Sequence, residues 1–325
     1  MLASYNGQLY IKEQVLSILN QSYQYIKLYC SDDGSTDGTI DYLKEYQKNN
    51  IVIAKNDGKK GPAYNFINGL KLVGDEKYII FSDQDDVWMP EKVSTLKSYA
   101  DKLLNNDKPG AIYCDALIVD HSLTQLGKRM YGEHHICPTK ISELLYLNGG
   151  VQGASMLINR KMMDEMLSYN KYIYMHDQLA TYLAVVYKNI YYINIPLMLY
   201  RQHSKNVIGV NTNKIEKMKL LFGSNMIDSR SYKFITEFSQ HYACNNYINS
   251  RNSLEYYIEL KENILKSIIK EFLNGNATLH NSRSKLLIKL FFKFIINKVV
   301  QKNENSEVLC LLRKMWPKHC HIEHC

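Results

Sequence analysis

Three groups of carboxylates stand where short apolar runs end: Asp32–Asp33 in SDDGSTDGT, Asp83, Asp85 and Asp86 in SDQDDVW, and Asp115. In an open α/β sheet, ligands bind outside the carboxyl ends of the strands. Asp and Gly are also ordinary turn residues, and for SDDGSTDG both readings stand. DQDD is different. Its carboxylates repel one another and call for a compensating cation. Hard divalent cations such as Mg²⁺ or Mn²⁺ take oxygen ligands. A diphosphate bridged to the protein through such an ion is the natural substrate of such a site.

The elements that would hold these groups alternate. Gln8–Gln21 puts Ile11, Val15, Ile18 and Leu19 on one helical face. Strand-like runs occur at Tyr25–Ser31, Ile51–Ala54, Tyr78–Ser82, Ala111–Asp115 and Val151–Ile158. Helices are predicted from about Thr36–Asp37, over Gly61–Val73 with Pro62 in its first turn, from Pro90 to about Leu104, and over Gln178–Tyr187. The rhythm predicts an α/β layered domain over 1–210 with a mixed, mainly parallel sheet. After about Val210 strand signals fade, and 211–325 reads as a mainly helical, basic extension.

The chain has 325 residues, 40 Lys+Arg and 32 Asp+Glu, a net charge of +8. From Lys214 onward there are 18 basic and 10 acidic residues, so this excess of 8 equals the whole net charge. The first part is balanced and shows no basic stripe with interleaved aromatics, so nucleic-acid binding is not expected. In Ser284–Val300, Lys285, Lys289 and Lys293 repeat every four residues among Leu, Ile and Phe. That pattern fits a helix on an anionic membrane surface, and equally a helix packed on the protein with its lysines in water. No apolar run is long enough to span a membrane. No signal peptide is visible, and the seven scattered Cys read as reduced thiols of a cytoplasmic protein. The terminal HCHIEHC matches no standard zinc spacing and reads as a solvated tail.

The stretch ASYNGQLYIKEQVLSILNQSY…SDDGSTDGT, then FSDQDDVWMPEKV, GGVQGASMLINR, MHDQLA and YRQHSKNVIG, resembles family 2 glycosyltransferases of the GT-A fold, in the order seen in their rhamnosyltransferase-like branch. The resemblance implies roles. Ala3, Tyr5 and Asp33 match positions that hold the nucleotide base. Asp85 matches a ligand of the divalent metal, Mn²⁺ or Mg²⁺, and Asp83 a contact to ribose or the metal's water shell. Asp177 matches the catalytic base, and His203 a residue that reaches the metal or diphosphate. Arg201 would add charge at the diphosphate, and Gly153 would let the donor sugar or acceptor approach closely. Read without the resemblance, Asp177 is an ordinary helix N-cap, His203 a surface histidine and Trp88 a packing residue. Asn65 and Lys60 fit either the donor site or a helix-start loop. The resemblance also exposes a departure: only Met1 and Leu2 precede Ala3, so the first strand is expected to be largely missing.

As an activity, the resemblance implies an inverting, metal-dependent transfer from a nucleotide-sugar donor, dTDP-rhamnose or a UDP-hexose. The acceptor would be a lipid-linked glycan bound for the cell surface. The enzyme would work in the cytoplasm, peripherally on the inner face of the membrane. The competing expectation is a truncated, non-catalytic homologue serving as a binding or scaffold subunit.

Overall fold

The computed structural model describes residues 1–46, 50–133, 135–139, 144, 150–203 and 229–243. Internal contacts divide the chain into two units, 1–141 with 149–210, and 142–148 with 211–325. In the first unit the order is β1 (Leu2–Ser4), α1 (Ile11–Leu19), β2 (Leu28–Asp32), α2 (Thr39–Glu45), β3 (Ile51–Lys55), α3 (Pro62–Leu70), β4 (Tyr78–Ile80), β5 (Val87–Trp88), α4 (Lys92–Leu103), β6 (Ala111–Val119) and β7 (Gln125–Arg129). A short 3₁₀ turn (Gly153–Ser155), β8 (Met156–Asn159), α5 (Arg160–Ser168), α6 (His176–Val186) and β9 (Ile190–Arg201) complete it.

β1, β2 and β3 pair in parallel, with Leu2 opposite Cys30 and Leu28 opposite Ile51. A second sheet runs β4–β8–β6–β9–β5, with β7 paired to β6. Its β6–β9 pair is parallel and its other pairs are antiparallel, so the sheet is mixed. A parallel bridge from Leu2 to Ser82 joins the two sheets. The first strand therefore forms over Leu2–Ser4, with Leu2 fully buried. Hydrogen bonds from Ser82 N to the Met1 carbonyl (2.9 Å) and from Met1 N to the Ile80 carbonyl (2.8 Å) hold its other side.

Burial tracks the sequence periodicity. Ile11, Val15 and Ile18 are buried beneath α1 and join Leu2, Leu28, Cys30, Leu43 and Trp88 in one apolar cluster. A second cluster sets Leu96 and Ala100 of α4 against Ile112, Leu157 and Ile193 of the sheet. Trp88 is a packing residue, 6% exposed. In the second unit, α7 (Ser229–Ala243) buries Phe234, Phe238 and Tyr242 at four-residue spacing. Among the described residues no helix is long and apolar enough to cross a membrane. The basic segment 284–300 and the HCHIEHC tail lie outside the described residues.

Candidate active site

The ends of β1 and β2 and the segment after β4 open on one cavity of 630 Å³. The two acids that end β2 divide the work. Asp32 is buried and closes its own turn, accepting from Ser4 Oγ (2.7 Å), Gly34 N (2.9 Å) and Ser35 N (2.7 Å). Asp33 lines the cavity. Its Oδ1 accepts from Asn56 Nδ2 and its Oδ2 from Gly61 N, both at 2.7 Å, with Lys60 Nζ at 3.6 Å. Gly61 makes that contact at φ +105°, a backbone conformation that favours glycine. Asn65, at the start of α3, ties the layers together by donating to the Ser4 and Ser31 carbonyls.

The acidic loop after β4 is pinned on two sides. Gln84 brackets the Tyr5 backbone, accepting from Tyr5 N (2.9 Å) and donating to the Tyr5 carbonyl (3.0 Å). Arg201, 2% exposed, donates from Nε to the Asp85 carbonyl (2.7 Å) and from Nη1 to the His121 carbonyl (2.6 Å), and pairs with Glu13. Buried Asp86 accepts from Arg201 N (3.1 Å). Asp83 and Asp85 are left on the cavity wall. Asp85 Oδ2 and His203 Nε2 share a hydrogen bond of 2.8 Å, and the His203 ring stacks on Tyr10 with centroids 4.7 Å apart. Burial, with the charges of Asp85 and Asp177 behind it, pushes the Asp83 carboxyl up to about 7. The same causes, burial first and then Asp85 and Asp83, raise Asp86 well above the usual carboxylate range. Beneath the loop, the fully buried Lys92 ammonium donates to the Ala154 carbonyl (2.6 Å) and lies 4.1 Å from the Trp88 ring centroid.

Asp177 sits in the first turn of α6, whose N-cap is Met175, so it is not the helix cap. Its Oδ2 accepts from Gly153 N (3.0 Å) and its Oδ1 from Gln178 N (2.8 Å). Burial raises its carboxyl to about 6, and the two backbone N–H groups work against that rise. The turn carrying Gly153 is anchored by a hydrogen bond from Gln152 N to Tyr131 Oη (2.8 Å). Gln152 Nε2 also reaches Asp83 Oδ2 at 3.4 Å. One dipeptide thus touches both Asp83 and Asp177.

The donor set suits a hard divalent cation. Asp85 offers a carboxylate oxygen and His203 a ring nitrogen, side by side on the wall. Among the described residues no set of three or more His, Cys, Asp or Glu converges on one point. Two protein ligands completed by substrate phosphate oxygens and water is the usual pattern for Mg²⁺.

Ala3, Tyr5, Asp33, Asp83, Asp85, Asp177 and His203 all line the cavity. Two expected residues do not. Arg201 is turned into the protein, where its donors hold the acidic loop from behind. Gly153 also stands behind the wall. A Cβ there would lie 2.6 Å from His176 Nε2 and 3.2 Å from Asp177 Cβ, so its smallness serves the approach of α6. Asp115 is no strand-end acid. It lies inside β6, fully buried, and accepts from Arg129 Nε (2.8 Å), Tyr131 N (3.0 Å) and Tyr192 Oη (3.1 Å). Sequence reasoning missed Tyr10, Gln84, Gln152 and His176 on the wall. Their signal was adjacency to the motifs and nothing in the residue types themselves.

A family model described as "Glycosyl transferase family 2" matches residues 1–167, about half of the chain; Asp177 and His203 lie past its end. Among curated proteins, the chain is similar to "dTDP-rhamnosyl transferase RfbG" of Shigella flexneri, 29% identical over 266 residues, covering 77% of this chain and 87% of that one. It is also similar to "GalNAc(5)-diNAcBac-PP-undecaprenol beta-1,3-glucosyltransferase" of Campylobacter jejuni, 25% identical over 325 residues, covering 95% and 97%. Among solved structures it resembles residues 1–349 of S. aureus TarS in complex with UDP-GlcNAc, TM-score 0.53 at 14% identity, over 94% of this chain and 91% of that one. A mannosyltransferase from Pyrobaculum calidifontis, in complex with GDP-Man and Mn²⁺, is similar at TM-score 0.50 and 12% identity, over 98% and 79%. These two likenesses show the fold.

Proposed function

The chain belongs to glycosyl transferase family 2, and on that footing we propose that it moves a sugar, with inversion, from a nucleoside diphosphate to a hydroxyl of a growing, lipid-linked polysaccharide. The observation that carries the reading is the one cavity on which Asp33, Asp83, Asp85, Asp177 and His203 meet. Asp33, with Ala3 and Tyr5, takes the nucleotide base. A carboxylate has about four acceptor positions, and the bonds to Asn56 and Gly61 leave room for a ring N–H of uracil or thymine. The diphosphate brings negative charge to a wall already lined with carboxylates. Asp85 and His203 would hold the Mg²⁺ or Mn²⁺ that offsets this charge and favours departure of the diphosphate.

Asp177 is the general base. Its ionised carboxylate takes the proton of the acceptor hydroxyl while that oxygen bonds to the anomeric carbon. The bond from that carbon to the diphosphate oxygen breaks on the opposite face, and the electron pair leaves with the nucleotide. Gly153 N–H and Gln178 N–H fix the carboxylate, so the attack geometry is set before substrate arrives.

The likeness to a dTDP-rhamnosyl transferase supports a dTDP-rhamnose donor, and the likeness to a glucosyltransferase of an undecaprenol-linked glycan supports a UDP-hexose and a lipid-borne acceptor. Such an acceptor places the reaction at the inner face of the membrane, where segment 284–300 supplies a basic, apolar contact. The test is a donor screen. dTDP-rhamnose, UDP-glucose, UDP-galactose and UDP-N-acetylglucosamine are each incubated with Mn²⁺, Mg²⁺ or chelator, and nucleotide release is read. One donor should release nucleotide, and chelator should stop it. Silence with every donor and cation would refute the reading in favour of a non-catalytic subunit.

A further inference from the structure

On the sugar-transfer reading, the sugar that moves lies between the diphosphate at the acidic loop and the base that activates the acceptor. Gln152 spans that gap. Its Nε2 donates to Asp83 Oδ2 (3.4 Å), and the N–H of the next residue, Gly153, donates to Asp177 Oδ2 (3.0 Å). Gln152 is half-buried and lines the cavity that both acids border. Its backbone is fixed on both sides. Gln152 N donates to Tyr131 Oη (2.8 Å), and the Gln152 carbonyl accepts from Ser155 N (3.1 Å) and Ser155 Oγ (2.8 Å). Asn6, Asn65 and Gln84 also bring side-chain amides to the cavity, but each is engaged elsewhere. Asn6 Oδ1 accepts from Thr36 N, Asn65 bonds Ser4 and Ser31, and Gln84 brackets the Tyr5 backbone. Gln152 Oε1 has no partner among the described residues and is not buried. Its Nε2 carries a second hydrogen beyond the one turned to Asp83.

We propose that Gln152 is a specificity residue for the donor, whose amide hydrogen-bonds the hydroxyls of an uncharged transferring sugar. The inference rests on the sugar-transfer reading and names a contact within that site. The chemistry selects the ligand. An amide presents its oxygen and its N–H side by side in one plane, pointing the same way, so neighbouring hydroxyls of a sugar ring can meet both. Its position selects the donor sugar over the acceptor, because one end of the dipeptide is on Asp83 and the other on Asp177. The wall sets the charge. Among the described residues no lysine or arginine lines the cavity, while Asp83, Asp85 and Asp177 do. A sugar carrying its own carboxylate would face three acids with no cation side chain to bind it. A neutral sugar meets an amide that needs no counter-charge.

The test compares wild type with Q152L, which keeps the length of the side chain and removes its amide. Calorimetry measures binding of UDP, dTDP, UDP-glucose, UDP-glucuronate and dTDP-rhamnose, and nucleotide release is measured with and without acceptor. Q152L should bind the neutral sugar nucleotide about 5- to 100-fold more weakly while its affinity for the bare nucleotide holds. Monodeoxy forms of that donor then locate the contact. The one whose missing hydroxyl weakens wild type by a similar factor should weaken Q152L no further. Three results overturn the proposal: Q152L matching wild type, an equal loss for bare and sugar nucleotide, which would mean the amide only steadies Asp83, and unchanged donor binding with transfer alone lost, which would move the contact to the acceptor. UDP-glucuronate binding more tightly than every neutral sugar nucleotide overturns the charge argument and the proposal with it. Should Q152L fail to fold, Q152A takes its place with the same readings. Wild-type protein that binds no sugar nucleotide overturns the sugar-transfer reading and this contact together, whereas active wild type with an indifferent Q152L overturns the contact alone.

Discussion

Asp177→Asn separates catalysis from stability in a way a merely structural residue could not. Burial raises the carboxyl from its ordinary 3.8 to about 6. The folded protein therefore holds this proton more tightly than the unfolded chain does. The stability it contributes is whole below about pH 4 and drains away as pH rises through about 6. A shift of two units at about 1.36 kcal/mol each gives nearly 3 kcal/mol. The side chain borders the cavity and keeps some contact with water, so the expected cost at about pH 8 is on the order of 1–3 kcal/mol. Asparagine cannot ionise. Its amide copies the protonated acid, with one oxygen left to accept from the N–H of Gly153 or Gln178. The variant should melt higher than wild type at about pH 8, by roughly 2–4 °C per kcal/mol, and the gap should close near pH 4. Transfer should meanwhile fall by about 10²- to 10⁴-fold, while the dissociation constant for the donor holds. The wild-type rate should fall as pH drops through about 6, where the base becomes protonated, and this acid limb should be absent from the residual rate of the variant. The assays are thermal melts at several pH values, calorimetry with the donor, and nucleotide release. Wild-type turnover in the variant would refute the base assignment. A melting difference that does not change with pH would refute the argument that burial governs this carboxyl.

Two further substitutions probe the scaffold. Gly153→Ala forces a Cβ against His176 Nε2 and Asp177 Cβ, overpacking that costs about 1–3 kcal/mol. Because Gly153 is off the cavity wall, kcat should drop while calorimetry finds bare-nucleotide affinity unchanged. Arg201→Lys keeps the charge and loses the fork that reaches the Asp85 carbonyl, the His121 carbonyl and Glu13 at once. Buried carbonyls left without donors should lower stability by about 2–4 kcal/mol, read as a fall in the denaturant midpoint, and donor affinity should weaken because the loop bearing Asp83 and Asp85 loosens.

What the sequence could tell divides along the distance between partners. The turn acids, the Pro62 start of α3 and the apolar face of α1 are set by neighbours a few residues away, and their patterns are visible in the chain. Asp33 was legible for the same reason, since it ends a strand in a turn motif. Asp115 was not. The run Ala111–Asp115 looks like a complete strand, yet β6 continues to Val119 because it is paired with β9 over most of its length. Both faces of β6 are buried, so no alternation marks where it stops. The register of that pair shifts around Asp115, which stands opposite Pro196, a residue without a backbone N–H to give. The Asp115 side chain is turned to donors from Arg129, Tyr131 and Tyr192, all distant in the sequence or across the sheet.

Arg201 obeys the same logic at longer range. Its partner Glu13 is 188 residues away and its loop partner Asp85 is 116 away. A motif can show that an arginine lies near a diphosphate site. Only the fold can show whether it faces the phosphate or holds the loop that does. The distinction changes the chemistry. An arginine on the wall would carry part of the charge on the leaving diphosphate. With Arg201 donating to the loop backbone and the Lys92 ammonium bonded to the Ala154 carbonyl, neither of these cations lines the cavity beside Asp83 and Asp85. That makes the cation response in the donor screen the sharpest reading of how this site is built.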